Sequence, residues 1–231
     1  MIETHSNHRF GLRHSAIALC LYGVVALAQP AELQVIPPRV IDRTVASIEG
    51  KVIVYSQLQF EARVLLIAAG GKNAAFAPLD QEVLQASLQA MVDQRLALLE
   101  ADKLEAYPLE AGELERAIAT FRARFDTEQR FSEFLDAHEA DLNDLAEVLR
   151  RSLRASRALE GKLRLRAQVS ESEAKAWRAS HEELKDVSLD KVRAMLVQQR
   201  FGDLVKKELT ERRRQVDVRL LGPFAPKQAE P

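Results

Sequence analysis

Apolar residues recur every three or four positions through most of this 231-residue chain, a spacing typical of amphipathic helices. The pattern is clearest within residues 80–104, where one helical face carries Leu84, Leu88, Met91, Val92, Leu96 and Leu99. The same reasoning predicts six further helices, at residues 57–69, 110–125, 128–138, 141–166, 170–183 and 189–215. Gly161 offers an earlier end for the fifth of the seven helices, and Gly202 interrupts the last.

Short polar residues mark the starts of several predicted helices. Ser56 and Asp80 precede apolar periodic segments, and each is placed to cap a helix by accepting a hydrogen bond from a free backbone N–H. Ser170 and Glu173 have the spacing of a capping box, in which each side chain bonds the backbone of the other residue. The last long helix is expected to begin at Ser188 or Leu189.

Strand signals occur only at the two ends of the helical region. Residues 41–48 and 51–55 are rich in Ile, Val and Thr and flank Glu49-Gly50, which suits a hairpin turn. Residues 216–221 form a lone third strand. Because unpaired strand backbone is costly to bury, we expect the two ends to meet in one small sheet. The predicted fold class is therefore mostly α, with a small β-sheet that joins an N-terminal hairpin to a C-terminal strand.

This layout predicts a single helical domain over residues 41–222, in which residues 189–221 fold back on the N-terminal hairpin. Residues 29–40, with two consecutive prolines, are expected to form an extended leader, and residues 223–231 a disordered tail.

The N-terminus has the layout of a secretory signal. Arg9 and Arg13 precede an apolar stretch at residues 16–28, and a small-residue motif predicts cleavage between Ala28 and Gln29. A membrane anchor is the alternative, but the stretch is shorter than the roughly 20 residues needed to span a bilayer. We therefore expect export to the periplasm and no stable membrane insertion. Removal of the signal would also remove the single cysteine, Cys20, and with it any disulfide or thiol chemistry.

Composition narrows the classes of partner. Hydrophobic residues make up 47% of the chain and charged residues 29%, as in a globular protein, and the net charge is −1. No bulk attraction to nucleic acid or to membranes follows from that charge.

Signals for catalysis are absent from the sequence. Outside the signal segment the two histidines, His138 and His181, are far apart and lack partners at metal-ligand spacing. Glycine-rich phosphate loops and the GxSxG nucleophile motif do not occur. We therefore expect no catalytic residue, no metal site and no cofactor.

A basic stretch at residues 150–166 has two interpretations. It contains seven arginines or lysines, and Glu160 is its one acidic residue. The first interpretation is a helix face whose charges pair with nearby Glu and Asp residues. The second is a surface for anionic lipid headgroups or acidic polypeptides.

Aromatic residues also leave two alternatives open. Phe121, Phe125, Phe131 and Phe134 fall on two short predicted helices, where their rings can pack together as core. Alternatively, together with Trp177, they line an apolar surface that binds unfolded polypeptide. Residue type alone makes these five the candidate client-binding residues.

The order of several segments resembles that of a known family. The segments are the strand–turn–strand and Ser-capped helix at residues 44–69, the helix at 79–104 with VDQRL, LEAGELERAI at 109–118, residues 131–153, and VSESEAKAW at 169–177. Together they resemble the N-terminal domain of SurA-type periplasmic chaperones and their trigger-factor-like relatives. In most of that family a parvulin prolyl isomerase domain follows the last segment, and here nothing of that size fits between Trp177 and the final helix.

The resemblance implies an ATP-independent holdase that binds unfolded or nascent clients, typically outer-membrane proteins, without enzymatic activity. A prolyl isomerase or its accessory subunit, and an envelope scaffold with one dedicated partner, are the alternatives. Dimerisation is a further possibility that the sequence leaves open.

Overall fold

The computed structural model describes residues 42–225, which form three strands and seven α-helices. The strands are β1 (Thr44–Ile48), β2 (Lys51–Val54) and β3 (Val218–Leu220). The helices are α1 (Tyr55–Ala68), α2 (Gln81–Lys103), α3 (Glu113–Arg122), α4 (Glu128–Ala137), α5 (Leu142–Leu163), α6 (Glu171–Ser180) and α7 (Leu189–Gln215). The predicted signal, the leader and the cleavage site at Ala28 and Gln29 lie outside the described residues.

The small sheet joins the two ends of the described chain, as predicted. Its order is β2-β1-β3, with both pairs antiparallel and Ala46 opposite Leu220. Glu49 and Gly50 form the hairpin turn with positive φ angles of 49° and 77°, the combination that suits a two-residue connection between twisted strands. The fold class predicted from the sequence is thereby confirmed.

Two apolar clusters hold most of the core. The first packs the sheet against α1 and α2, with Val45, Ile53, Leu58 and Leu88 at 0% exposure. The second lies where α1, α3, α4 and α5 meet, and it contains Phe60 and the four phenylalanines of α3, α4 and the turn between them. Helix α1 contributes to both clusters, so it links the sheet to the helical layer.

Alanines set a close approach between α2 and α5. Ala97, Ala101, Ala155 and Ala158 are buried between these helices. Gly161 does not shorten α5, which continues to Leu163. A Cβ atom at Gly161 would lie 2.8 Å from Cε1 of Tyr107, so glycine here accommodates an aromatic ring.

Helix α6 packs mainly on the N-terminal half of α7, with a core of Val169, Ala174 and Val192. Arg193 Nε donates to the carbonyl of Val169 at 2.8 Å, and Arg200 pairs with Glu173. We call α6, the 3-10 turn Glu182–Leu184 and this half of α7 the α6–α7 arm. The arm rests on a far smaller core than the sheet or the phenylalanine cluster.

Two cap predictions need correction. Ser56 does not cap α1, which begins one residue earlier at Tyr55, and its hydroxyl bonds the carboxylate of Asp42. Ser170 accepts from the Glu173 N–H at 3.2 Å, but the Glu173 carboxylate binds Arg200, so only half of the predicted capping box forms. The cap of Asp80 on α2 is confirmed by a 2.8 Å bond from the Val83 N–H.

The predicted disordered tail begins too early. The chain turns at Gly222, which has a φ angle of 60°, and forms a 3-10 turn over Gly222–Phe224. Phe224 is 1% exposed and belongs to the first core cluster. Ordered structure therefore extends beyond Pro223, because a large apolar ring has a core position to fill.

Among the helices of residues 42–225, none contains an apolar stretch of the length that a bilayer-spanning helix needs.

Candidate polypeptide-binding surface

The four candidate phenylalanines belong to the core. Phe121, Phe131 and Phe134 are at most 3% exposed and Phe125 is partly buried. Their ring centroids lie 5.3–5.9 Å apart, in tilted and edge-on contacts. The core alternative therefore describes these rings, and they do not form the expected exposed cradle. The physical reason is that the faces of α3 and α4 that carry these rings are turned toward α1 and α5, where the second core cluster lies.

Trp177, the fifth candidate, is in a different environment. It lies on α6 with 36% of its surface exposed. Its ring stacks on His181 with a centroid separation of 4.0 Å. The structure thus leaves one of the five predicted client-binding side chains accessible, and holds it through a ring contact rather than in the core.

The basic stretch on α5 joins the helices together. Arg154 pairs with Asp102 on α2 at 2.7 Å and Arg157 with Glu113 on α3 at 2.7 Å. Lys162 pairs with Glu208 on α7 at 2.8 Å. These contacts support the first interpretation, in which the charges of the stretch pair within the protein.

A buried carboxylate is the centre of the most unusual polar cluster. Glu61 on α1 is 1% exposed, and its Oε1 accepts hydrogen bonds from Arg95 at 3.1 Å and from Arg151 at 2.6 Å. Gln57 donates a third bond to the same oxygen at 2.9 Å. Burial lowers the pKa of Arg95, and the neighbouring Glu61 opposes that shift.

Two atoms of this cluster are buried without a hydrogen-bond partner in residues 42–225. They are Oε2 of Glu61, an acceptor, and Nε of Arg151, a donor. A buried polar atom without a partner costs about 1–3 kcal/mol, so native structures rarely keep one unless it has a role.

Both residues line an open cleft between α1 and α5, which we call the α1–α5 cleft. Its volume is about 370 Å³. Phe60, Ala140 and Val148 supply apolar wall, while the polar lining comprises Ser56, Gln57, Glu61, His138, Glu139, Asp144, Glu147 and Arg151.

A smaller cavity of about 270 Å³ lies between α2, α5 and α7. Its charged residues are paired, since Lys162 binds Glu208 and Arg212 binds Glu100 at 2.9 Å. The α1–α5 cleft is therefore the better candidate for binding. Across the described range no group of three or more His, Cys, Asp or Glu residues is arranged to hold a metal ion.

His138 forms part of the cleft wall and titrates abnormally. Its Nε2 lies 3.1 Å from the carbonyl of Ala75, and its ring packs edge-on against Phe134. Burial is the main cause that lowers the pKa of His138 below 6.5; the hydrogen bond with the Ala75 carbonyl opposes this shift, and the charge of Arg63 adds to it. The imidazole is therefore neutral at neutral pH and costly to protonate in the folded protein.

We expect a specific loss of stability on mild acidification. Below about pH 6.5 the unfolded chain binds a proton at His138 that the folded protein resists, so stability falls from there toward the lower folded pKa. Urea unfolding at about pH 7.5 and about pH 5.5 measures this loss, which should shrink in His138→Gln. An equal loss in both proteins would contradict the assignment to His138.

Sequence reasoning did not identify Glu61 or Arg95 as site residues, and it considered Arg151 only as part of the basic stretch at residues 150–166. A signal was nevertheless present, because each falls on the apolar face of its predicted helix: Glu61 lies between Leu58 and Leu65 at helical spacing. What the sequence did not contain was the pairing, since Glu61 and Arg151 are 90 positions apart.

Comparisons with known proteins do not assign the chain to a family. No protein-family model matches the sequence, and no curated protein matches it at significant similarity. The SurA-type resemblance therefore stays a hypothesis drawn from the order of motifs.

Proposed function

We propose that this protein is an ATP-independent periplasmic chaperone that holds unfolded polypeptides, such as outer-membrane proteins in transit. The observation that carries the proposal is the α1–α5 cleft, where a buried acceptor and a buried donor have no hydrogen-bond partner within residues 42–225 and lie beside an apolar wall. The order of motifs that resembles SurA-type chaperones supports the same function.

An amide-binding cleft suits a protein that must recognise many sequences. Every residue of an unfolded chain except proline presents one N–H donor and one C=O acceptor. Oε2 of Glu61 and Nε of Arg151 each have less than 1 Å² of accessible surface, so they can bond these backbone groups only when the side chains that cover them move. Hydrogen bonds to charged groups contribute about 1.5–3 kcal/mol each, so one cleft gives the weak, reversible binding that a holdase needs.

The α6–α7 arm supplies a second type of contact. Trp177 offers an accessible aromatic ring, a side chain that provides large contact area at low entropic cost. The arm's own core is limited to Val169, Ala174 and Val192, and elements with few buried contacts open most easily. Such an arm can adapt to clients of different shape, and the proposed holding requires no nucleotide and no covalent step.

Blocking the cleft should abolish holding without unfolding the protein. Glu147 is an exposed residue of the cleft lining, and Glu147→Trp would fill the opening with a large ring. The matched control is Glu160→Trp, at an exposed position of the same helix outside the cleft lining. Light scattering from a urea-diluted outer-membrane protein, without nucleotide, should show suppressed aggregation by the parent and the control and strong aggregation with Glu147→Trp.

A second assay tests the chemistry of recognition. Fluorescence anisotropy compares a capped apolar peptide with the same peptide methylated on its backbone nitrogens, which removes the N–H donors. We expect about tenfold weaker binding of the methylated peptide, equivalent to about 1.4 kcal/mol. Equal binding of the two peptides would contradict amide recognition, and no suppression of aggregation by the parent protein would favour a dedicated envelope partner instead.

A further inference from the structure

The chain enters the described structure at the edge of the α1–α5 cleft. Asp42 is the first described residue, and its Oδ1 accepts a hydrogen bond from the backbone N–H of Ser56 at 3.2 Å. The Ser56 hydroxyl donates to the same carboxylate, and the Tyr55 N–H donates to the carbonyl of Arg43 at 2.9 Å. Ser56 is itself part of the cleft lining. The polypeptide that precedes Asp42 therefore begins beside the cleft.

The segment that directly precedes Asp42 is long enough to fill the cleft. An extended chain advances about 3.3 Å per residue, so residues 37–41 can span about 17 Å from this point. The cleft has a volume of about 370 Å³, which accommodates only a few residues. Two consecutive prolines, Pro37 and Pro38, restrict the backbone of the segment, which lowers the entropy that is lost on binding.

The sequence of residues 37–41, PPRVI, contains the apolar side chains that the cleft can bury. Its last two residues, a valine and an isoleucine, are aliphatic. The apolar part of the cleft wall consists of Phe60, Ala140 and Val148. Contact between these groups removes apolar surface of both from water, which favours binding.

The charge of the segment is also complementary to the cleft. Arg39 is its single charged residue. The cleft lining has an acidic excess, with three exposed carboxylates and one arginine besides buried Glu61: Glu139, Asp144, Glu147 and Arg151. Glu147 pairs with exposed Arg150, whereas Glu139 forms no ion pair within residues 42–225. An arginine that enters the cleft therefore meets a carboxylate to which it can donate charge-assisted hydrogen bonds.

We propose that residues 37–41 occupy the α1–α5 cleft of the free protein and that a client must displace them. This regulation rests on the proposed function, since it acts on the same cleft. A segment joined to its site by a short connection has an effective concentration in the millimolar range. With an intrinsic Kd of about 0.1 mM it would fill the cleft in about 90% of molecules and weaken client binding about tenfold, because only the open fraction binds. The protein would then hold those clients that bind more strongly than its own chain.

Disulfide cross-linking tests the occupancy without any client. The chain from Gln29 onward contains no cysteine, so a pair can be introduced at chosen positions. Val40→Cys/Glu147→Cys should cross-link at least about tenfold faster than the control Val40→Cys/Glu160→Cys, because Glu147 lines the cleft and Glu160 lies on the same helix outside it. Adding Arg39→Glu to the first pair should slow its cross-linking about fivefold, through loss of the charge attraction. Equal rates for the two pairs, or a rate that Arg39→Glu does not change, would overturn the proposal.

Fluorescence anisotropy with the capped apolar peptide tests the competition. If Arg39→Glu weakens binding of the segment about tenfold, the cleft is open in about half of the molecules, and the Kd of the peptide should fall about fivefold. The matched control, Lys227→Glu, reverses one charge in the C-terminal segment and should bind the peptide like the parent. An Arg39→Glu protein that binds no more tightly than this control would overturn the competition. If no variant bound the peptide while the cross-link formed, occupancy of the cleft would be supported and the proposed function contradicted.

Discussion

Replacement of Glu61 by alanine is expected to lower the free energy of unfolding by about 3–5 kcal/mol, because removal of one partner leaves buried charges without compensation. Two arginines would lose their counter-charge, Arg95 with 17% and Arg151 with 21% of its side chain exposed. Folded proteins of this kind are stable by only about 5–15 kcal/mol, so the loss is severe. Urea unfolding followed by circular dichroism measures it.

The control removes a carboxylate from an exposed ion pair. Glu133 lies 2.9 Å from Arg130, and both side chains are at least 40% exposed. Because solvent screens such pairs, Glu133→Ala should cost at most about 1 kcal/mol. If the two alanine variants were equally stable, burial of the Glu61 cluster would not matter and the argument would fail.

A triple variant distinguishes stability from the proposed function. Replacement of all three charges in Glu61→Leu/Arg95→Met/Arg151→Met removes the buried ions together, and such exchanges are often neutral or stabilising. The same exchange removes the acceptor and the donor that the proposed client contact requires. We therefore expect a folded protein that no longer suppresses aggregation, which would assign the buried charges to binding.

The elements of the fold could be predicted from the sequence because their causes are local. Periodic leucines such as Leu84 and Leu88 define a helix face wherever the helix lies, and an Asp80 cap needs only the next three residues. The pairing of β3 with the N-terminal hairpin could also be predicted, since burying the unpaired backbone groups of a lone strand costs free energy. Helix ends agreed less closely: α1 begins at Tyr55, and the Ser56 hydroxyl donates to Asp42 instead of capping the helix.

The candidate site depended on tertiary contacts that no local pattern contains. The aromatic character of a residue did not reveal whether it is buried: Phe134 is 0% exposed, whereas Trp177 is accessible. The cleft arises only when Glu61 on α1 and Arg151 on α5 become neighbours. A charge on an apolar helix face is the local signal that such a contact exists, but it does not say which residue completes it.

Replacement of Phe224 by alanine is the second change with a large expected effect. The residue follows a strand of only three residues, yet its ring is 1% exposed in the cluster that packs the sheet on α1 and α2. Truncation of a buried phenylalanine costs about 3–5 kcal/mol, through lost burial and the cavity that remains. The measurement is the urea midpoint and its slope, with the slope unchanged if unfolding stays two-state.

Phe76→Ala is the control, because it makes the same substitution at an exposed position. Phe76 is 41% exposed, and Arg130 lies over its ring at 4.3 Å. A partly exposed ring with one cation–π contact contributes about 0.5–1 kcal/mol through that contact, so its loss should be several times smaller. If Phe224→Ala lowered the free energy of unfolding no more than Phe76→Ala, the turn after β3 would contribute little to the stability of the core. A large difference would show that the turn after β3 is part of the core, because the Phe224 ring packs where the sheet meets α1 and α2.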